Sequence, residues 1–319
     1  MNIFFVVSND SIPYVLDHTE KYDDNVVVTF SENAHMFFSF VNGNYLHLKA
    51  KFNPNGIYKS TGVIFNYLKA LSFYSKHFDG LRNADVHFYN VGHTLILFYF
   101  LKKLSVRNRV TLHFSDKSRD DRPAPFFLNI IPRVLFGLQT NAWYHGNTFF
   151  YQLDKSFLEG INIVQRENIS FPLLNIEIAD GESLVICDDL PEHGWMSKKQ
   201  FTKDMNRLVD FLESKNVDFL VKKHPSSPVL YGRMNDKKAL PEYIPFEFLV
   251  NYPWRNIIGV LSTCLIDSAK RGLNTISVLN CIGFEEGERK KFYNWMKKES
   301  SDKITFVNSF DELGGCLNV

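Results

Sequence analysis

One pattern limits what this chain can fold into more than any other: short β-rich runs alternate with segments of helical length from one end to the other. A strand, a helix and a second strand in that order pack as a parallel sheet with crossover helices laid on its faces. In the first half the pattern predicts strands over 2–8, 26–30, 85–91 and 109–114, with helices over 62–76, 93–104 and 124–137. The second half repeats it more cleanly, with strands at 183–187, 219–222, 257–261, 275–280 and 304–307 and helices at 197–214, 244–250, 263–271 and 285–298. Between the halves, residues 171–182 carry a proline, a glycine and acidic side chains, which puts the break near residue 177. The chain therefore reads as two doubly wound α/β domains, 1–177 and 178–319, facing a central cleft between the carboxyl edges of their sheets, where ligands of such folds bind.

At 319 residues the chain is long enough for two cores, and 45% apolar against 22% charged residues can supply them. Lys and Arg number 36 against 35 Asp and Glu, a net charge of +1. No global field recruits nucleic acid or anionic lipid, so any polyanion must be bound locally. Cys187, Cys264, Cys281 and Cys316 form no CxxC pair and no zinc spacing; they are expected as reduced thiols of an intracellular protein, and no metal is expected. The first apolar run has no basic stretch before it and no small-residue cleavage site after it, so it reads as a buried strand. The apolar run 95–101 falls far short of the roughly 20 residues that span a bilayer. The expectation is a cytoplasmic protein. Peripheral contact with the inner face of the cell membrane stays open through the basic stretch 289–298, although Phe292, Trp295 and Met296 are expected to pack inward there while the lysines are solvated.

No GxGxxG follows the first strand and no GxxxxGKS/T occurs, which argues against a Rossmann dehydrogenase or a P-loop NTPase. The informative segment is 219–228, FLVKKHPSSP. It is a buried strand that ends in two cations, a histidine and a proline, so His224 is presented at a strand's carboxyl end. An imidazole there can donate to a phosphate oxygen or protonate a leaving group, with Lys222 or Lys223 adding positive potential; a surface strand end with incidental charge is the competing explanation. Further on, IIGVLSTCLID runs from an apolar strand into a helix through Ser262 and Thr263. Two hydroxyls beside the N–H groups of a helix start can hold an anion, while N-capping by Ser262 accounts equally for the pair taken alone. Between these segments, Glu247 opens a short helix, placed either to accept hydrogen bonds from a ribose diol or to complement the helix dipole.

Taken in order, Lys222, Lys223, His224 and Pro225, then Ile244, Pro245, Phe246 and Glu247, then Ser262 and Thr263 resemble the motifs of bacterial sialyltransferases of the two-domain GT-B architecture. The match covers about forty residues of the C-terminal half, and it points to the enzymes that finish capsular polysaccharide or lipooligosaccharide chains. The resemblance implies that sialic acid (Neu5Ac) passes from CMP-Neu5Ac to a terminal galactose of a surface glycan, with inversion and without a metal. It implies that His224 binds the donor phosphate and assists departure of CMP, that Ser262 and Thr263 hold the same phosphate, that Glu247 meets the ribose, and that Lys222 with Pro225 surrounds the cytosine. The family's general base lies in an acidic motif closed by glycine, and here the pattern departs. Asp116 sits nearest to that motif's place with no glycine after it, Asp188 and Asp189 follow the first strand of the second domain as rivals, and Ala179, Asp180 and Gly181 match the letters from within the linker.

The expected partners are thus a CMP-sialic acid donor and a galactose-terminated acceptor, with no nucleic acid. Two alternatives stay open: another GT-B transferase of glucosyl, Kdo or glycerophosphate groups, and a non-catalytic subunit that binds a nucleotide sugar.

Overall fold

The computed structural model describes residues 1–7, 9–41, 43–52, 63–89, 95–114, 122–123, 140–145, 148–153, 159–165, 174, 178, 182–224 and 229–318. The chain divides into two compact units, Met1–Ser170 and Phe171–Val319, a few residues before the break expected near 177. The helix expected over 124–137 lies outside the described residues, as do Asp116 and Pro225.

The first unit opens with β1 (Asn2–Val6), α1 (Ile12–Lys21), β2 (Asn25–Thr29), α2 (Glu32–Phe40) and β3 (Tyr45–Lys49). It continues with α3 (Val63–Phe78), β4 (Asp85–Tyr89), α4 (Leu95–Ser105) and β5 (Arg109–Phe114). A short antiparallel sheet of β6 (Arg122–Pro123), β7 (Thr140–His145) and β8 (Thr148–Leu153) precedes β9 (Asn162–Gln165). The main sheet is parallel with order β3-β2-β1-β4-β5-β9, whose first five members follow the doubly wound order 3-2-1-4-5.

Side chains alternate across that sheet. Ile3, Phe5, Val26, Val28, Val86 and Phe88 pack with α3 and α4 into one apolar core, where the Phe5 and Phe88 rings stack at 4.4 Å. The apolar run 95–101 is the buried heart of α4 and so a core helix. No helix among the described residues is long and apolar enough to cross a membrane. The opposite face gathers Phe4, His87, Tyr89 and His113 against His18 of α1. Within it His87 Nδ1 lies 3.1 Å from His113 Nε2, and Tyr89 Oη 2.6 Å from His18 Nδ1, which also lies 2.9 Å from the Tyr14 carbonyl.

Helices α1 and α2 and strand β3 are additions to the elements expected from sequence. Helix α1 carries its proline in the first turn, where the missing N–H costs no helical hydrogen bond. Helix α2 is set by Ser31, whose hydroxyl accepts from the Ala34 N–H at 3.1 Å.

The second unit contains β10 (Ser183–Cys187), α5 (Lys198–Ser214), β11 (Phe219–Lys223), α6 (Phe246–Leu249), β12 (Ile257–Gly259) and α7 (Thr263–Lys270). It closes with β13 (Thr275–Ser277), α8 (Glu286–Glu299), β14 (Thr305–Phe306) and α9 (Phe310–Cys316). Phe201, Met205, Leu208, Val209 and Leu212 recur at helical spacing and bury one side of α5. The sheet is parallel with order β11-β10-β12-β13-β14. Numbered within the unit this is 2-1-3-4-5, the other common doubly wound order. Several strands are shorter than expected. β12 stops at Gly259 because the next two N–H groups are taken by a side chain, and β13 stops at Ser277 ahead of a 3-10 turn over Leu279–Cys281.

Candidate functional site

Three strand ends of the second unit build the site. The fully buried run of β10 ends in Asp188 and Asp189. On one side β11 pairs with it, Cys187 opposite Lys223, and runs out at His224, whose N–H donates to the Cys187 carbonyl at 3.2 Å. On the other side β12 pairs with β10, Val185 opposite Ile258, and leads through Val260 and Leu261 to Ser262 and Thr263. The histidine strand and the hydroxyl strand are not neighbours, because β10 lies between them and puts two carboxylates in the middle. The chain leaves β10 for one side and crosses back to the other, so its carboxyl end is the switch point where such sheets open a crevice.

Asp188 is 3% exposed, and its Oδ2 accepts from the Val260 N–H at 3.0 Å and the Leu261 N–H at 2.9 Å. This one side chain ties the end of β10 to the turn that carries the hydroxyls. Burial, helped by the neighbouring Asp189 charge, raises its pKa to about 7 against the lowering effect of those two N–H groups. Asp189, also buried, accepts from Tyr231 Oη at 3.4 Å. Burial lowers the pKa of His224 while the Asp189 charge pulls it back up and His193 and Lys222 push it down. The net effect is a lowering, which favours the neutral ring, and a neutral imidazole can donate from one nitrogen and accept at the other.

Ser262 is the N-cap of α7, its hydroxyl accepting from the Cys264 N–H at 3.2 Å, so the capping role considered from sequence is present. The same residue also faces the crevice, beside Thr263 at the first helical position. A cavity of about 480 Å³ joins these groups. Its polar lining includes Asp188, Asp189, His224, Ser262, Thr263 and Lys291, and its aromatic lining His193, Trp195, Phe292 and Trp295. The volume falls in the range of small-molecule sites, about 300–1,000 Å³.

The other expected site residues are placed elsewhere. Lys222 is 5% exposed and does not line the cavity; its amine donates to the carbonyls of Lys223 and Glu242, each at 3.2 Å, and burial lowers its pKa to about 8. Glu247 stands in the first turn of α6, outside the cavity wall, close enough to Lys222 to favour its charged form.

The aromatic side was not anticipated. Trp195 sits on the loop between β10 and α5, which is folded back by N–H bonds from His193 to Asp189, from Gly194 to Pro191 and from Trp195 to Leu190. Gly194 has φ +72, a conformation that suits glycine in that turn. The rings of Trp195 and His193 stack at 4.8 Å, and Phe292 meets Trp195 at 4.8 Å and Phe284 at 5.6 Å. Of the three α8 residues expected to pack inward, Met296 is buried, whereas Trp295 is 39% exposed at the cavity. The sequence signal was two aromatics three apart on a basic helix, which suits a packed face as well as a cavity wall.

A family model described as alpha-2,8-polysialyltransferase (POLYST) matches residues 87–279, a span that holds the cavity residues from Asp188 to Thr263 and stops short of α8. Among curated proteins none matches with significance. The glycotransferase of kitacinnamycin aligns over 99% of this chain and 89% of its own, with 6% identity and a TM-score of 0.41. CalG4, the calicheamicin glycosyltransferase, aligns over 99% and 88%, with 10% identity and a TM-score of 0.45.

Proposed function

This chain belongs to the alpha-2,8-polysialyltransferase family, and on that premise we propose that it transfers sialic acid from CMP-sialic acid to a hydroxyl of a surface glycan such as capsular polysaccharide or lipooligosaccharide, with inversion and without a metal. The observation that carries this reading is the meeting of His224, Ser262 and Thr263 around the switch point of one sheet, in a cavity of nucleotide size.

In this reading the cavity's polar side receives the donor phosphate. As the bond from the anomeric carbon to the phosphate oxygen breaks, charge accumulates on the departing CMP, and an imidazole N–H with two hydroxyls stabilises it where it develops. Asp188 takes no part in that contact. Its two backbone hydrogen bonds fix the turn from which Ser262 and Thr263 are offered, and a positioned donor needs no reorganisation during the reaction. A second group must take the proton of the attacking hydroxyl. Asp189 at the end of β10 is one candidate, and Asp116, outside the described residues, is the other. The family description names an α-2,8 linkage, which joins one sialic acid to the next, and so favours a sialic acid terminus as acceptor over the galactose expected from the sequence motifs.

The test is a donor screen with the purified chain, offering CMP-sialic acid, CMP-Kdo, CDP-glycerol and UDP-glucose with sialylated and galactose-terminated oligosaccharides. Release of CMP from CMP-sialic acid that requires the acceptor is the expected result. Turnover of another donor in preference would replace the sialyl assignment, and CMP binding with no turnover would favour a non-catalytic subunit.

A further inference from the structure

The cavity is two-sided in chemistry. Its polar side accounts for a phosphate, but the groups expected from sequence motifs to surround the nucleobase do not line it: the Lys222 amine is held by two backbone carbonyls and stays outside the cavity wall. The aromatic part of the lining comes from two separate segments, and Leu190, Leu261 and Lys291 complete it. Trp195 is engaged with His193 on the loop after β10, and Phe292 is held between Trp195 and Phe284. Trp295 is different. It lines the cavity one helical turn beyond Phe292, is 39% exposed, and makes no ring contact among the described residues. Met296 beside it is buried and anchors α8, so the indole is presented from a fixed helix.

Resting on the CMP-sugar reading above, we infer that Trp295 is the stacking platform for the donor's nucleobase, with Trp195 and Phe292 as the neighbouring aromatic lining of the same cavity. An indole presents a large flat apolar face, every base offers a π-face to it, and the phosphate of a nucleotide so stacked falls on the same cavity as His224, Ser262 and Thr263. The platform gives affinity with modest base discrimination, since stacking tolerates any base; discrimination must then come from hydrogen bonds at the base edge.

The experiment is a titration of the full chain with CMP, with cytidine and with free sialic acid, followed by calorimetry, for the parent, Trp295→Ala, Trp295→Phe and Lys222→Met. Expected are CMP binding by the parent, a rise in Kd of roughly 5- to 100-fold for Trp295→Ala, recovery of most of the affinity by Trp295→Phe, and parent-like binding by Lys222→Met. Free sialic acid should show no dependence on residue 295. Unchanged thermal unfolding and circular dichroism of Trp295→Ala keep the loss from being ascribed to misfolding. CMP binding that Trp295→Ala leaves untouched overturns this inference alone, whereas a parent chain that binds no CMP overturns the donor reading and the inference with it.

Discussion

Replacing Asp188 by asparagine separates its structural role from its charge. In the parent the Asp188 carboxyl is 3% exposed and its pKa is raised from 3.8 to about 7, mainly by burial. A carboxyl whose folded pKa lies above its unfolded value binds more protons in the native state, so stability falls as pH rises from the unfolded pKa to the folded one. At about 1.4 kcal/mol per pKa unit, the ionised form costs the fold up to roughly 4 kcal/mol by neutral pH. Asparagine has nearly the same shape and offers its carbonyl oxygen to the Val260 and Leu261 N–H groups without a charge. The Asn variant should therefore gain on the parent steadily between about pH 4 and pH 7, by an amount on the order of a few kcal/mol, with the difference flat above pH 7. Asp188→Ala instead leaves two buried N–H groups without an acceptor, at about 1–3 kcal/mol each, and should fall below the Asn variant at every pH. The assay is urea unfolding followed by tryptophan fluorescence, which reports mainly on the second unit because Trp195, Trp254 and Trp295 all lie there. A parent-to-Asn difference that does not change with pH would refute the reasoning.

Other expectations follow from the same geometry. His224→Ala should lose most transfer activity, of order a hundredfold or more, with an unchanged unfolding curve; near-normal turnover counts against the phosphate role. Asp189→Asn and Asp116→Asn should differ sharply in kcat, and the variant that keeps full turnover eliminates its residue as base. Transfer should survive incubation with a chelator, and activity lost to chelation and restored by a divalent cation would contradict the metal-independent reading. In the first unit, burial lowers the pKa values of His47 and His87 to about 4. A histidine with a depressed folded pKa favours the unfolded state as protons are added, so stability should be intact above about pH 6.5 and decline toward pH 4. His87→Gln should flatten that acid limb, and an unaltered slope would show that the ring is not responsible.

The local part of the site could be read from sequence because strand ends are written in neighbouring residues. A buried run ending in Lys222, Lys223 and His224, and another entering a helix through Ser262 and Thr263, each declare a carboxyl edge without any knowledge of the sheet. The order of strands is a different kind of information. Whether β11 lies beside β12 or is separated from it by β10 depends on crossover connections, and both arrangements have the same local pattern. The role of Asp188 was hidden for that reason, since the N–H groups it receives lie more than seventy residues along the chain. The aromatic wall was hidden in the same way: Trp195 closes a turn, Trp295 sits on a basic helix, and only the tertiary fold brings them to one cavity. Where periodicity was strong, as in α5, helix bounds agree with expectation to within a residue or so.

The most direct test is a crystal structure of the full chain with CMP bound. The account predicts the phosphate at the carboxyl end of β10, with an imidazole nitrogen of His224 and the hydroxyls of Ser262 and Thr263 within about 3 Å of its oxygens. A nucleotide held at another place on the chain, or a phosphate in this cavity turned away from His224, would contradict it.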